Sequence, residues 1–139
     1  MAQVKIQYGT TTDITPSGLN GLANNAYVDT AAQSNTTALA IDYLISINVN
    51  GTAASTARVD VYLLCSQDGT NFDTQESAKQ GSSIILSASP QQRTYSLTSD
   101  FNLDSVPQNF KIRVVNKTGA ALGASGNTIK ITPIYRQIV

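Results

Sequence analysis

Residues Leu39–Val49 read LAIDYLISINV, and their alternation decides the fold class. Leu39, Ile41, Tyr43, Ile45, Ile47 and Val49 fall on one face; Ala40, Asp42, Leu44, Ser46 and Asn48 fall on the other. A period of two marks a half-buried strand, because successive side chains of an extended chain point to opposite sides. A helix needs apolar residues three and four apart, and would spread this set around its circumference.

The same pattern recurs on both sides of this stretch. Arg58–Cys65 places Val59, Val61, Leu63 and Cys65 inward, with Arg58, Asp60 and Tyr62 outward. Ser82–Ala88 offers Ile84, Leu86 and Ala88, and Arg93–Leu97 offers Tyr95 and Leu97. Phe110–Asn116 sets Phe110, Ile112 and Val114 against Lys111 and Arg113, and Asn127–Ile138 carries Ile129, Ile131 and Tyr135. Pro133 in that last run has no amide to donate, which requires an edge, a bulge or a strand end there. At the N-terminus Val4, Ile6 and Tyr8 alternate with Lys5 and Gln7. Turn dipeptides such as Asn20-Gly21, Asn50-Gly51 and Asp68-Gly69 separate the runs, and Phe72 is expected to fold back onto the core. Only Thr74–Gln80 invites a short helix. Gly9–Asn25 reads as a loop or arm, which makes 1–25 an extended N-terminal lead into a single domain, 1–139. The expected architecture is all-β: a jelly-roll-like antiparallel β-sandwich of about eight strands.

At 139 residues, folding buries roughly 65–70% of the surface that the unfolded chain exposes, enough for a core without disulfide or metal. Charged residues make up 13% of the chain, against roughly 25% in an ordinary soluble domain. Positive and negative residues number 9 each. A nucleic-acid binder draws its affinity from a basic excess, which is missing here, so no direct nucleic-acid partner is expected. A neutral, charge-poor surface resists self-association poorly, which suits an assembled protein; a Thr/Ser-rich β-domain of any kind fits equally well. No apolar run is long enough to span a membrane as a helix. MAQVKIQY has no basic start followed by an apolar stretch, so no secretory signal is visible and synthesis in a cytoplasm is expected.

The side-chain inventory argues against catalysis. There is no histidine, which removes Ser-His-Asp and Cys-His nucleophilic sets and the commonest zinc ligands. No phosphate-binding glycine loop is present. No catalytic, cofactor-binding or metal-ligating residue is assigned. The single cysteine, Cys65, lies in a strand-like run and reads as a buried, inert thiol. Asp68, Asn71 and Asp73 could supply oxygens to calcium, but their spacing is not that of an EF-hand, and a hairpin turn is the better reading. Asp100 and Asp104 read as solvated loop carboxylates.

The termini carry a positive signal. Val4, Ile6 and Tyr8 begin almost at the first residue, and Ile134, Tyr135, Ile138 and Val139 run to the last. Two readings stay open: ordinary strands of the sandwich, or a segment that packs on a neighbouring subunit by strand addition. With the loop at Asn50, Gly51 and Thr52, these residues are the interface candidates.

Two stretches carry a likeness. Val59–Phe72 (VDVYLLCSQDGTNF) and Phe110–Leu122 (FKIRVVNKTGAAL), with the Ser125-Gly126-Asn127 turn after them, resemble the small capsid cement proteins of tailed bacteriophages. The likeness spans roughly 41–73 and 110–139 and rests on scaffold motifs, a strand and a turn each. It implies a jelly roll on the outside of the virion, made in the bacterial host cytoplasm. It also implies that copies pair as homodimers, with trimers the alternative, and tie neighbouring major capsid proteins together. The rival readings are a tail, head-fibre or baseplate module for receptor attachment, and a carbohydrate- or calcium-binding sandwich.

Overall fold

A computed structural model describes residues 3–37 and 39–138. In chain order the strands are β1 (Val4–Tyr8), β2 (Thr12–Asp13), β3 (Tyr27–Asp29), β4 (Gln33–Ser34), β5 (Asp42–Val49) and β6 (Arg58–Ser66). They continue with β7 (Lys79–Gln80), β8 (Ile84–Ile85), β9 (Gln91–Ser96), β10 (Asn109–Lys117) and β11 (Thr128–Ile138). No helix occurs among the described residues; Thr74–Ala78, where the sequence invites one, is a turn leading into β7.

Two antiparallel sheets face each other. One has the order β1-β11-β5-β9, with β2 also on β11; the other has β3-β10-β6-β7, with β4 on β10 and β8 on β6. The eleven segments occupy eight strand positions, because three edge strands are each broken in two by one extra residue. Gly9–Thr11 face only Thr132 and Pro133, between the pairs Tyr8↔Ile134 and Thr12↔Ile131. Thr30–Ala32 face only Lys111 and Ile112, between Asp29↔Arg113 and Gln33↔Phe110. Gly81–Ser83 face only Asp60 and Val61, between Gln80↔Tyr62 and Ile84↔Val59. Each is a bulge that bends an edge and interrupts its row of free amides. The result is the jelly-roll-like sandwich that the alternation predicts.

Pro133 lies at the first of these bulges. The Gly9 N–H donates to the Pro133 carbonyl at 2.8 Å. In an antiparallel strand a residue's N–H and C=O point to the same side, so the missing Pro133 donor faces the break between β1 and β2. On its other side β11 continues unbroken along β5.

The core lies between the sheets. Tyr43, Ile45, Ile47, Val49, Ile129 and Ile131 meet Val59, Val61, Leu63, Phe110, Ile112 and Val114, all buried. Tyr43 packs edge-on to Phe110, with centroids 5.3 Å apart. Leu19 and Leu22 close one margin, so the segment read as loop or arm folds back and fills the core. Four further expectations need correction. Leu39 and Ile41 are exposed, because the strand begins only at Asp42 and Leu39 sits at φ +53° in the preceding loop. Ala88 is exposed, since β8 ends at Ile85. Cys65 is half-buried rather than buried. Phe72 stays outside the core, where the Lys111 ammonium sits 4.3 Å above its ring.

Candidate functional site

The apolar termini meet as an antiparallel ribbon. Its register is Val4↔Ile138, Lys5↔Gln137, Ile6↔Arg136, Gln7↔Tyr135 and Tyr8↔Ile134. Paired residues share a face, so Val4, Ile6 and Tyr8 stand with Ile134, Arg136 and Ile138 on one side. That side is the outer one, because the core-facing residues of β11 are Ile129 and Ile131, of opposite parity. Val4 is 60% exposed, Ile6 56%, Tyr8 61% and Ile138 73%. Lys5 and Gln7 on the other face are exposed too, so β1 is covered by nothing among the described residues. Ile134 is nearly buried where β5 begins to flank β11, and Tyr135 packs partly against the core. Exposed Ile41 adjoins this ribbon, its N–H donating to the Ile134 carbonyl at 2.8 Å. Val139 lies outside the described residues.

The loop candidates lie at the other end of β5 and do not join the ribbon. Asn50 is spent inside the fold. Its N–H donates to Asn127 Oδ1 at 2.7 Å, its side-chain amide donates to the Ser125 carbonyl at 3.2 Å, and its Oδ1 accepts from the Ser89 hydroxyl at 2.8 Å. The Gly51 N–H donates to Ser89 Oγ at 3.1 Å. Thr52 is exposed. Asn50 and Gly51 therefore brace the corner between β5 and the turn before β11, and only Thr52 presents its side chain outward.

Pattern reading missed a second surface, on the outer face of the β3-β10-β6 sheet. The Arg113 guanidinium donates to both Asp29 oxygens, at 2.7 and 3.0 Å, and lies 3.9 Å over the Tyr27 ring. The Asp29 hydrogen bonds hold the Arg113 pKa above its ordinary value. Tyr27, 56% exposed, is thus a locked aromatic on the surface. Tyr27 is invisible to the alternation because β3 is only three residues long.

Asp68 builds its turn, as the hairpin reading expects. Its Oδ1 accepts from the Thr70 and Asn71 N–H groups at 2.8 Å each and from the Ser66 hydroxyl at 3.0 Å, while Oδ2 accepts from the Asn71 amide at 2.8 Å. Those bonds, the backbone donors first, hold its carboxyl far below the usual carboxylate range. Asp73 Oδ2 accepts from the Cys65 N–H at 3.2 Å. Both aspartates line an open basin of about 690 Å³ that also touches Cys65 and the Ser105–Gln108 loop. Burial, then the nearby Asp73 charge, pushes the Cys65 thiol up, so it is a poorer nucleophile than a free cysteine. No group of three or more metal-ligating side chains converges among the described residues. No described helix is long and apolar enough to cross a membrane.

The fold and its surfaces define a jelly-roll-like β-sandwich with an apolar ribbon that is largely exposed among the described residues. No known protein family and no curated protein matches this chain.

Proposed function

We propose that this chain is a capsid cement, or decoration, protein: a non-enzymatic virion component on the outer shell that bridges neighbouring major capsid proteins. The observation that carries the reading is the apolar strip of Val4, Ile6, Tyr8 and Ile138, left in solvent by both ends of the chain. An apolar edge strand open on both faces is an aggregation hazard unless something covers it, and an assembly partner does so. The motif likeness of Val59–Phe72 and Phe110–Leu122 adds the setting, a bacteriophage head. The mechanism is mechanical. A shell strains at its subunit seams, and a rigid sandwich with two separated contact patches resists their opening, because the first contact raises the effective concentration of the second. The charge-poor composition helps, since each unpaired ion buried at such a seam costs several kcal/mol.

The test is occupancy and function on the particle. Quantitative mass spectrometry of purified particles should count hundreds of copies, and stripping them should lower the temperature at which the shells release DNA. Shells equally heat-resistant after complete removal would overturn the stabilising role. A second reading, a tail, head-fibre or baseplate module that grips a receptor, draws on the locked Tyr27–Arg113–Asp29 surface, since Tyr and Arg dominate binding hot spots. A handful of copies at a vertex or tail would favour it.

A further inference from the structure

The outer side of β1 is unpaired among the described residues, and its hydrogen-bonding parity is known. Because the Gly9 N–H bonds to Pro133, the odd-numbered Lys5 and Gln7 turn their main chain toward β11. Val4, Ile6 and Tyr8 therefore direct N–H and C=O to the free edge. The same three side chains form the exposed apolar strip, so at these positions the outward main chain has no partner among the described residues and the side chains stand largely in solvent.

We infer that β1 is the contact by which two copies of this chain join, edge to edge and antiparallel, about a two-fold axis through Ile6. A two-fold contact is self-complementary, so one strand must satisfy itself. Only pairs of outward-directed residues exchange both hydrogen bonds, which requires the axis to pass through a residue; axes at Val4 or Tyr8 leave most of the strand unpaired, so Lys5, Ile6 and Gln7 remain. An axis at Lys5 sets two like charges directly opposite, which is unfavourable. An axis at Gln7 pairs Ile6 with Tyr8 but sends Val4 past the end of β1, opposite Thr10. The axis at Ile6 alone uses the whole strand: Ile6↔Ile6 and two Val4↔Tyr8 pairs exchange main-chain bonds, and Lys5 faces Gln7 twice. The three other edge positions are less suited to such a contact. Two are cut into two- and three-residue pieces by their bulges, and β9 presents the polar run Gln91–Thr94. Pairing through β1 joins the two copies' four-stranded paths into one continuous sheet and leaves the sandwich cores untouched.

This inference deepens the assembly reading, on which it rests, by naming the second copy and its register. Sedimentation velocity of the isolated chain tests it without any particle. The wild type should form a reversible dimer. Gln7→Glu sets a carboxylate opposite each Lys5 across the axis and should tighten the dimer about fivefold, while Gln7→Lys should loosen it by a similar factor. Ile6→Asp sets two carboxylates on the axis and should give monomers that melt as the wild type does when diluted below its dissociation constant. A wild type that stays monomeric at about 200 µM overturns the inference, that concentration being well above a micromolar dissociation constant. So does a Gln7→Glu variant that dimerises more weakly, which is the sign expected for an axis at Gln7. So does an Ile6→Asp variant that dimerises like the wild type. The two Gln7 variants decide the matter even if Ile6→Asp folds poorly. A monomer still found in hundreds of copies on shells would sink this pairing and leave the cement reading intact; a dimer absent from particles would do the reverse.

Discussion

Single side chains hold the turns that the sequence marks. Asn116 is fully buried and makes four hydrogen bonds: its amide donates to the Leu22 and Ala120 carbonyls, and its Oδ1 accepts from the Thr118 N–H and hydroxyl. The Asn-Lys-Thr-Gly turn, which leads from β10 in one sheet toward β11 in the other, is therefore built by its first residue. Asn116→Ala removes all four bonds, takes the acceptor from the Thr118 N–H and opens a hole at a fully buried position, and should cost about 2–4 kcal/mol of unfolding free energy in urea. Asp68 does comparable work at the surface. Its folded pKa lies below its unfolded one, so its stabilisation is present above the ordinary carboxylate pKa of ~3.9 and is lost as pH falls below that value. The melting-temperature difference between wild type and Asp68→Asn should be full at pH 7 and shrink progressively as pH falls below about 4 toward the much lower folded pKa. Tyr95 titrates the other way: burial pushes its phenol up to about 12, and its hydroxyl donates to the Ser82 carbonyl at 2.5 Å.

At the scale of elements, the bulges decide how the edges behave. Gly9 sits where β1 parts from β2, and a Cβ there would lie 2.7 Å from the Pro133 ring and 2.8 Å from the Tyr135 ring. Gly9→Ala should lever β1 away from β11, costing about 1–3 kcal/mol and weakening the dimer together with the fold. Chemical denaturation and sedimentation read the two effects. Gly81 plays the same part under the Phe101 and Tyr95 rings, where an added Cβ would come within 3.0–3.1 Å. Each bulge is only partly legible in the sequence. Pro133 announces an irregularity, but its three permitted forms are an edge, a bulge or a strand end, and the choice depends on what lies opposite. The bulges at Thr30–Ala32 and Gly81–Ser83 leave no mark on the alternation, because the flanking segments are two or three residues long.

Over the whole molecule, the two sheets differ in how their outer surfaces are finished. One carries the locked ion pair and Tyr27; the other ends in the apolar ribbon. Dimerisation through β1 would bring two ribbons side by side and double the exposed apolar strip, which is the multivalent contact that the proposed cement role requires. Lys79 is exposed on β7, in the sheet that does not contain β1; its charge-reversing substitution should leave the dissociation constant of the proposed dimer within about twofold, as expected for separated surface sites.

The sequence by itself determined the all-β class, the core-facing residues of the long strands from Tyr43 to Val49 and from Phe110 to Val114, and the turns between them. These depend on the two-residue period and on glycine and asparagine chemistry, which act over a few neighbours. Only the tertiary structure decided that Leu39 and Ile41 lie outside, that Asn50 is a brace, and that the two ends of the chain pair with each other. Cover and register are properties of what arrives opposite, and β1 meets its partner across almost the entire chain. An alternating strand reads the same whether its apolar face meets a core or solvent, so the exposed apolar strip became visible only once β1 and β11 had been placed.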